Sequence, residues 1–256
     1  MSYRMGYPKF TASSYVRQGD SKIIHALLGP TTLKSSLNEL NVTIACTTAY
    51  PFSGKLTHTI TAATSFEFAV SIPSWATANS SYRINNGKAV HLSPELEHLQ
   101  MSQIYKGETQ VLVDLDMAIH VGDARNGSVA IYYVPLLCAL DIDLTTLSSD
   151  QITTQTHNWV LDSSSEWRYG IYPTSLTVEE LYDPDQTLLN PIWTCENTPV
   201  ALWVIFWQID YTDTLGTAAL PPVKPRVTGE PIQVLLIPYG SENLQIAEIP
   251  VVSTVD

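Results

Sequence analysis

The chain has little charge for its length. Charged residues make up 15% of its 256 residues, against roughly 25% in typical soluble domains. The surface must therefore be rich in uncharged polar groups or be buried against partners. The net charge is −12, and Arg168 is the only lysine or arginine between Asn126 and Val223. Because such a surface repels phosphate, tight binding of nucleic acid by this half is not expected.

Cysteines, long apolar runs and catalytic motifs are also scarce. Cys46, Cys138 and Cys195 are few, odd in number and far apart, which fits neither a disulfide framework nor a metal site and favours a reducing compartment. No run approaches the roughly eighteen apolar residues of a membrane span, and the first ten residues lack a signal-peptide core. The sequence also lacks nucleophile-elbow, zinc-protease, phosphate-loop and dinucleotide-binding motifs.

Titratable residues are present but scattered. None of the six histidines lies at metal-ligand spacing from another: His25, His58, His91, His98, His120 and His157. Asp114 and Asp116 lie on the same predicted strand face, where a carboxylate pair could bind a cation at a subunit contact. Exposed pairs of this kind are usually solvated instead. A second acidic group could likewise bind a cation or form a solvated acidic loop; it comprises Glu179, Glu180, Asp183 and Asp185. We therefore predict no catalytic, cofactor-binding or metal-binding residues, no cofactor, and no enzymatic activity.

Alternating apolar and polar residues are the strongest structural signal that is present. From Val111 to Val121 the odd positions are apolar and the even ones mostly polar, which predicts a strand with one buried face. A glycine-bearing turn over 122–127 and a second strand from Ser128 to Val134 follow. Pro135 ends that strand because proline has no N–H to donate. The pattern predicts one long hairpin.

The remaining pattern predicts more short strands, few helices and several loops. Ser93 to Ser102 begins with a cap, Pro94 and Glu95, which predicts a helix. Long polar stretches predict loops at 76–88, 144–156 and 174–198, where recognition sites tend to lie. Further strands are predicted at Lys22–Leu28, Leu40–Thr48, Leu56–Ile60, Phe66–Ile72, His157–Asp162, Trp167–Tyr172, Val200–Tyr211 and Ile232–Ile237.

This series of strands predicts an all-β protein, specifically an eight-stranded antiparallel jelly-roll β-sandwich with one or two short helices and a C-terminal extension. We divide the chain into an N-terminal arm and first strand (1–40), a jelly-roll domain (41–211) and a C-terminal arm (212–256). The remainder after Pro238, extended and mixed in polarity, is either an arm that lies against something or a disordered tail.

Several short marks, in order over roughly residues 60–211, resemble the capsid proteins of picorna-like viruses (order Picornavirales). They are Phe68–Pro73, Leu92–Gln100, the Tyr105-Lys106-Gly107 turn, Gly127–Pro135, His157–Asp162 with Trp167–Pro173, and Val200–Tyr211. Thr156 stands where proline is usual in that family, and Ile171-Tyr172-Pro173 inverts the usual Pro-Tyr order.

The resemblance implies a structural capsid protein that assembles with related jelly-roll subunits into an icosahedral shell around an RNA genome. Its partners would be the other capsid subunits, enclosed RNA that this acidic chain contacts little, and a host receptor at the surface loops. Its location would be the virion, and the host cytoplasm during assembly, with no membrane.

Two alternatives from other functional classes stay open. A β-sandwich carbohydrate-binding or recognition module would stack sugar rings on Trp75, Trp159, Trp167 or Trp193. An enzyme on a jelly-roll scaffold would need clustered His and Glu on strands, which the sequence does not show.

Overall fold

A computed structural model describes residues 3–37, 40–63, 65–93, 98–101, 107–153, 156–172, 178–182, 188–241 and 243–252. The chain divides into two compact units, Met1–Met117 (unit 1) and Ala118–Asp256 (unit 2). Strands dominate both units, so the all-β prediction is confirmed, whereas the eight-stranded jelly roll is not confirmed. The division at residues 40 and 211 stays a prediction. In the described part, no helix is long and apolar enough to cross a membrane.

Unit 1 begins with a helix and continues as strands. Its described elements are α1 (Tyr3–Ala12), β1 (Tyr15–Gln18), β2 (Lys22–His25), β3 (Thr31–Leu37), β4 (Leu40–Thr48), β5 (Lys55–Ala62), β6 (Glu67–Ser71), β7 (Ser81–Ile84), β8 (Val90–His91), β9 (His98–Met101) and β10 (Gly107–Asp114).

Two sheets of unit 1 pack around one core. One sheet has the order β1-β2-β6-β9 and the other β3-β4-β5-β10-β7-β8. Period-two alternation directs Ile23 and Phe68 of the first sheet and Ile44, Leu56 and Val111 of the second into a single buried cluster. The β2–β6 pair is parallel, while the other described ladders of unit 1 are antiparallel. Unit 1 is therefore a β-sandwich.

Unit 2 is built mainly on one large sheet. Its described strands are β11 (Ile119–Asp123), β12 (Val129–Tyr133), β13 (Leu136–Asp141), β14 (Leu144–Thr153), β15 (Thr156–Ser163), β16 (Tyr169–Gly170), β17 (Val178–Tyr182), β18 (Val200–Ile209), β19 (Asp213–Thr214), β20 (Thr217–Ala218), β21 (Val227–Pro238) and β22 (Gln245–Ile246).

The large sheet has the order β11-β12-β13-β21-β18-β16, with β17 paired to β18 and β22 paired to β13. Leu202, Val204 and Phe206 of β18 are fully buried, and the residues between them are half-buried. The C-terminal segment pairs with this unit through isolated bridges from Ile249 to Val129 and from Val251 to Ile171. Through Val252, the structure therefore favours the arm over the disordered tail.

The prediction of one long hairpin is wrong in one respect. The segment predicted as its first strand forms two strands, β10 and β11, which belong to different units. β10 ends at Asp114, and β11 starts at Ile119 and pairs with β12. Polar contacts of unit 1 end β10: the Leu115 N–H donates to the Gly54 carbonyl, and the Asp116 N–H donates to Ser80 Oγ. Thr77 Oγ1 also donates to the Asp116 carboxylate, at 2.5 Å. Alternation alone cannot show such a break.

Other local predictions also require correction. The helix predicted over Ser93–Ser102 fails at His98–Met101, which is a strand paired with β6; residues 94–97 and 102 lie outside the described residues. The loop predicted at 144–156 contains β14, which pairs with β15. The loop at 76–88 contains β7. Pairing with a neighbouring strand overrode weak local propensity in each case.

Candidate functional site

Three polar side chains meet inside the core of unit 1, and we call them the histidine–cysteine cluster: His25, Cys46 and His58. Cys46 of β4 lies directly opposite His58 of β5 in the ladder, whereas His25 comes from β2 in the other sheet. His25 Nδ1 is 2.9 Å from His58 Nε2. One ligand atom from each of the three residues lies within 4.8 Å of the other two. The cluster thus joins both sheets with groups that are common metal ligands.

Aromatic rings enclose the cluster. Tyr15 stacks on His25 with ring centroids 4.4 Å apart, and Phe68 contacts His58 edge-on at 5.2 Å. Thr31 Oγ1 lies 3.3 Å from the Tyr15 hydroxyl. His25 and His58 have no solvent-exposed surface, and Cys46 is 5% exposed. Water therefore has little access to these groups.

Burial holds the cluster in its uncharged form. It lowers the pKa of His25 to about 4. Burial and then the neighbouring His25 lower the pKa of His58 to about 3, and burial raises the pKa of Cys46 to about 12. Backbone groups of Leu27 and Val111 act in the opposite direction and raise the pKa of His25 and His58, respectively. Neither group makes a hydrogen bond of normal geometry to His25 Nε2 or His58 Nδ1. At neutral pH the cluster is two neutral imidazoles and a thiol.

Sequence spacing missed this cluster because its members are far apart along the chain. The signal that was present is positional: His58 sits between Leu56 and Ile60 on the inward face of β5, and Cys46 follows Val42 and Ile44 on the inward face of β4. Polar residues in apolar positions of paired strands therefore indicate a shared interior site.

Unit 2 carries an open groove, which we call the tyrosine groove. It has a volume of about 1450 Å³ and is lined by residues of β11–β13, the β19–β20 hairpin and the segment 239–248. Tyr239 is 53% exposed. The Tyr211 hydroxyl donates to the Ala219 carbonyl over 3.0 Å. Arg125 Nε donates to both carboxylate oxygens of Glu248, at 2.9 and 3.1 Å. The groove thus combines aromatic surface with both signs of charge.

The charged groups of the groove shift the pKa of Tyr211, a buried tyrosine in its wall. Burial raises the pKa of Tyr211, Glu248 raises it further, and Arg125 lowers it. A tyrosine so shifted stays a neutral donor and acceptor at any physiological pH.

A smaller cavity of about 390 Å³ is lined in part by Gly240 and Ser241 of the Tyr239–Ser241 turn. Trp193, Glu196 and Asn243 are among its lining residues. A Cβ on Gly240 would stand 3.1 Å from Trp193 Cε3, so glycine allows the indole to lie close to the backbone. Trp193 is 44% exposed. The short turn thus contributes to two aromatic-lined cavities.

The four tryptophans considered for sugar stacking lie in different settings. Trp159 and Trp193 are exposed, by 59% and 44%. Trp75 packs against the core of unit 1. Trp167 packs against the core formed by Ile209, Tyr211 and Val252, with Arg168 lying 4.8 Å over its ring. Only two of the four therefore offer a large open face.

Of the acidic residues singled out in the sequence, the structure describes the side chains of Asp114 and Asp116, and these two do not form a cation site. The Asp116 carboxylate accepts hydrogen bonds from Thr77 and Asn79 and so has a structural partner, while Asp114 is exposed at the end of β10. Asp183 and Asp185 lie outside the described residues, as do the side chains of Glu179 and Glu180.

One family model and three solved structures that this chain resembles belong to glycoside hydrolases. Residues 22–117, less than half of the chain, match the profile of the family described as "Beta-L-arabinofuranosidase, GH127 middle domain". The match starts at β2 and extends just past β10, so it lies within unit 1. No curated protein matches the chain significantly.

Solved structures show the same fold over most of the chain. A GH127 β-L-arabinofuranosidase from Geobacillus stearothermophilus T6 is 16% identical, with a TM-score of 0.60 over 90% of this chain and 33% of its own. A structure titled "Glycoside hydrolase" is 17% identical (TM-score 0.61; 94% and 37% covered). A GH127 β-arabinofuranosidase is 15% identical (0.60; 93% and 36%). The chain spans about a third of the length of these structures.

These matches overturn the capsid interpretation. The family profile and the three structures are glycoside hydrolases, not coat proteins, so the predicted capsid function, subunit, RNA and receptor partners, and virion location are wrong. The prediction of no enzymatic role is corrected by the same finding, because the matched proteins are enzymes. The marks misled because alternation, glycine turns and strand-ending prolines belong to β-sandwiches in general, and a fold does not specify a function.

Proposed function

We propose that this chain serves a glycoside hydrolase that acts on β-L-arabinofuranosides, and that its tyrosine groove holds the saccharide. The observation that carries the proposal is the match of residues 22–117 to the GH127 middle domain, together with a fold shared with two GH127 β-arabinofuranosidases. Because the chain corresponds to about a third of those structures, the groove is proposed to work with further parts of a hydrolase.

The chemistry of the groove supports saccharide binding. A sugar ring presents a weakly polar C–H face and a rim of hydroxyl groups. The exposed Tyr239 offers a flat apolar surface for the first, and Arg125, Asp123 and Glu248 offer hydrogen-bonding groups for the second. Small-molecule sites are usually concave, with a few convergent polar groups; at about 1450 Å³ the groove is larger than most such sites and has room for more than one sugar ring.

Calorimetric titration of the purified chain with a β-L-arabinofuranosyl oligosaccharide tests the proposal. We expect saturable binding, and Tyr239→Ala should weaken it by roughly 3- to 10-fold, because an aromatic contact contributes about 0.5–1.5 kcal/mol. Trp159→Ala is the matched control. Trp159 is equally exposed but lies on the β14–β15 hairpin, outside the groove, so binding should not change.

An unrelated glucan is the specificity control for the same titration. Equal binding of both saccharides, or no binding of the arabinofuranosyl one, would contradict the proposal. Release of L-arabinose from the same substrate, followed by chromatography, then shows whether the reaction occurs on this chain or requires further parts of the hydrolase.

A further inference from the structure

The histidine–cysteine cluster is costly as a purely structural element. A neutral imidazole has one donor and one acceptor nitrogen, so the 2.9 Å contact between His25 Nδ1 and His58 Nε2 uses one of each. The other two nitrogens, His25 Nε2 and His58 Nδ1, are buried without a hydrogen-bond partner in the part of the chain that the structure describes. Apolar side chains at these positions would avoid that penalty. A polar cluster in the core despite this penalty indicates a role other than packing, and the two facing nitrogens and the thiol are the groups close enough to act together.

The atoms that face one another match a transition-metal site. Zinc bonds to histidine nitrogen at about 2.0–2.1 Å and to cysteine sulfur at about 2.3 Å, so two tetrahedral nitrogen ligands lie roughly 3.3 Å apart. The observed nitrogen separation of 2.9 Å is a few tenths of an ångström shorter. Opposed strand positions hold Cys46 and His58 side by side, and small rotations of the two rings would make room for an ion.

We propose that His25, Cys46 and His58 bind one zinc-class transition-metal ion between the two sheets of unit 1. Two imidazoles and a thiolate are borderline-to-soft ligands, which suit Zn²⁺ or Co²⁺ and do not suit Mg²⁺ or Ca²⁺. On binding, the Cys46 S–H bond breaks and its proton leaves to solvent, while both imidazoles stay neutral and give lone pairs to the ion. The ion then links β2 to the β4–β5 hairpin and replaces the hydrogen bond between His25 Nδ1 and His58 Nε2.

Cobalt titration of the full chain, freed of metal by a chelator, is the direct test. A Co²⁺ ion bound by Cys46 gives thiolate-to-cobalt charge-transfer absorption in the near ultraviolet, and we expect it to saturate at one ion per chain. Zn²⁺ should displace the signal. Cys46→Ser should abolish the charge-transfer band and weaken Co²⁺ binding by at least about 100-fold.

Cys138→Ser is the matched control, because Cys138 is also buried and free but lies on β13 of unit 2. It should leave the cobalt signal unchanged. Circular dichroism checks that Cys46→Ser folds. If it does not, native mass spectrometry of the wild-type chain purified from zinc-supplemented medium decides, with one bound ion per chain expected. Absence of both the band and the ion in the wild-type chain, or an unchanged band in folded Cys46→Ser, would overturn the proposal.

Discussion

The two units use similar antiparallel strands but place their polar groups in opposite locations. Unit 1 holds two imidazoles and a thiol inside its core, and unit 2 places tyrosines, Arg125 and Glu248 along an open groove. Among the described residues, the fully buried histidines belong to unit 1. The difference teaches that strand alternation sets where a side chain points, while the residue type at the inward positions decides what the interior can do.

Removing one large core ring from each unit should give the largest effect. Phe68 of unit 1 and Phe206 of unit 2 are both fully buried, so each Phe→Ala change should cost about 3–5 kcal/mol of unfolding free energy. Urea unfolding followed by hydrogen exchange measures the loss in each unit. A loss below about 1 kcal/mol at either site would contradict the core assignment.

Acid should distinguish the two interiors. The pKa values of His25 and His58 lie near 4 and 3 in the folded chain and near 6.5 when unfolded, so the unfolded chain binds protons first as the pH falls. Stability from the neutral histidines is therefore full above about pH 6.5 and declines as the pH falls to about 3. Between pH 7 and pH 5 we expect a loss on the order of 3 kcal/mol, measured by urea unfolding with a chelator present.

A double variant provides the control for the acid experiment. His25→Leu together with His58→Leu should remove most of the decline, whereas His120→Gln, at an exposed position on β11, should leave it. An unchanged decline in the double variant would mean that other groups cause the acid sensitivity.

Gly54, which packs against the backbone of Leu115, should tolerate a side chain less well than Gly29. A Cβ at Gly54 would stand 1.9 Å from the Leu115 carbonyl oxygen, which is backbone, whereas nothing lies within 4 Å of a Cβ at Gly29. Gly54→Ala should destabilise unit 1 by roughly 1–3 kcal/mol, and Gly29→Ala should have little effect. Thermal unfolding of both variants measures the contrast, and equal melting temperatures would contradict it.

Surface ion pairs should contribute least in both units. Arg226 Nε lies 3.5 Å from Asp210 in unit 2, and Arg17 pairs with Asp20 in unit 1. Arg226→Gln and Arg17→Gln should each change the unfolding free energy by about 0–1 kcal/mol. Urea unfolding at low and high salt checks this, and a loss above about 2 kcal/mol would show that one pair is more than a surface contact.

Strand positions were the part of the fold that sequence reasoning predicted well. β4 has the predicted bounds, Leu40–Thr48, and β5, β6, β12 and β18 lie close to theirs, because half-buried strands show a period of two. β14 was missed because its Thr- and Ser-rich sequence has no apolar face. The helix over Tyr3–Ala12 was missed too, since it contains Pro8 and has no acidic residue in its first turn.

The candidate sites needed information that no local window contains. Sequence reasoning named the tryptophans and the carbohydrate alternative, yet the tyrosines that line the groove are Tyr132 of β12, Tyr211 just after β18, and Tyr239 of a turn. The histidines were judged by their spacing along the chain, which does not report distance across a sheet.

By itself, the sequence determined that the chain is all-β, which inward positions carry side chains of which type, and that its surface has little charge. Tertiary structure alone decided that the strand predicted from Val111 to Val121 divides between two units, and that His25, Cys46 and His58 meet. The physical reason is register: alternation depends only on neighbouring residues, whereas the pairing of Cys46 with His58 and the stacking of two sheets depend on contacts between residues distant in sequence.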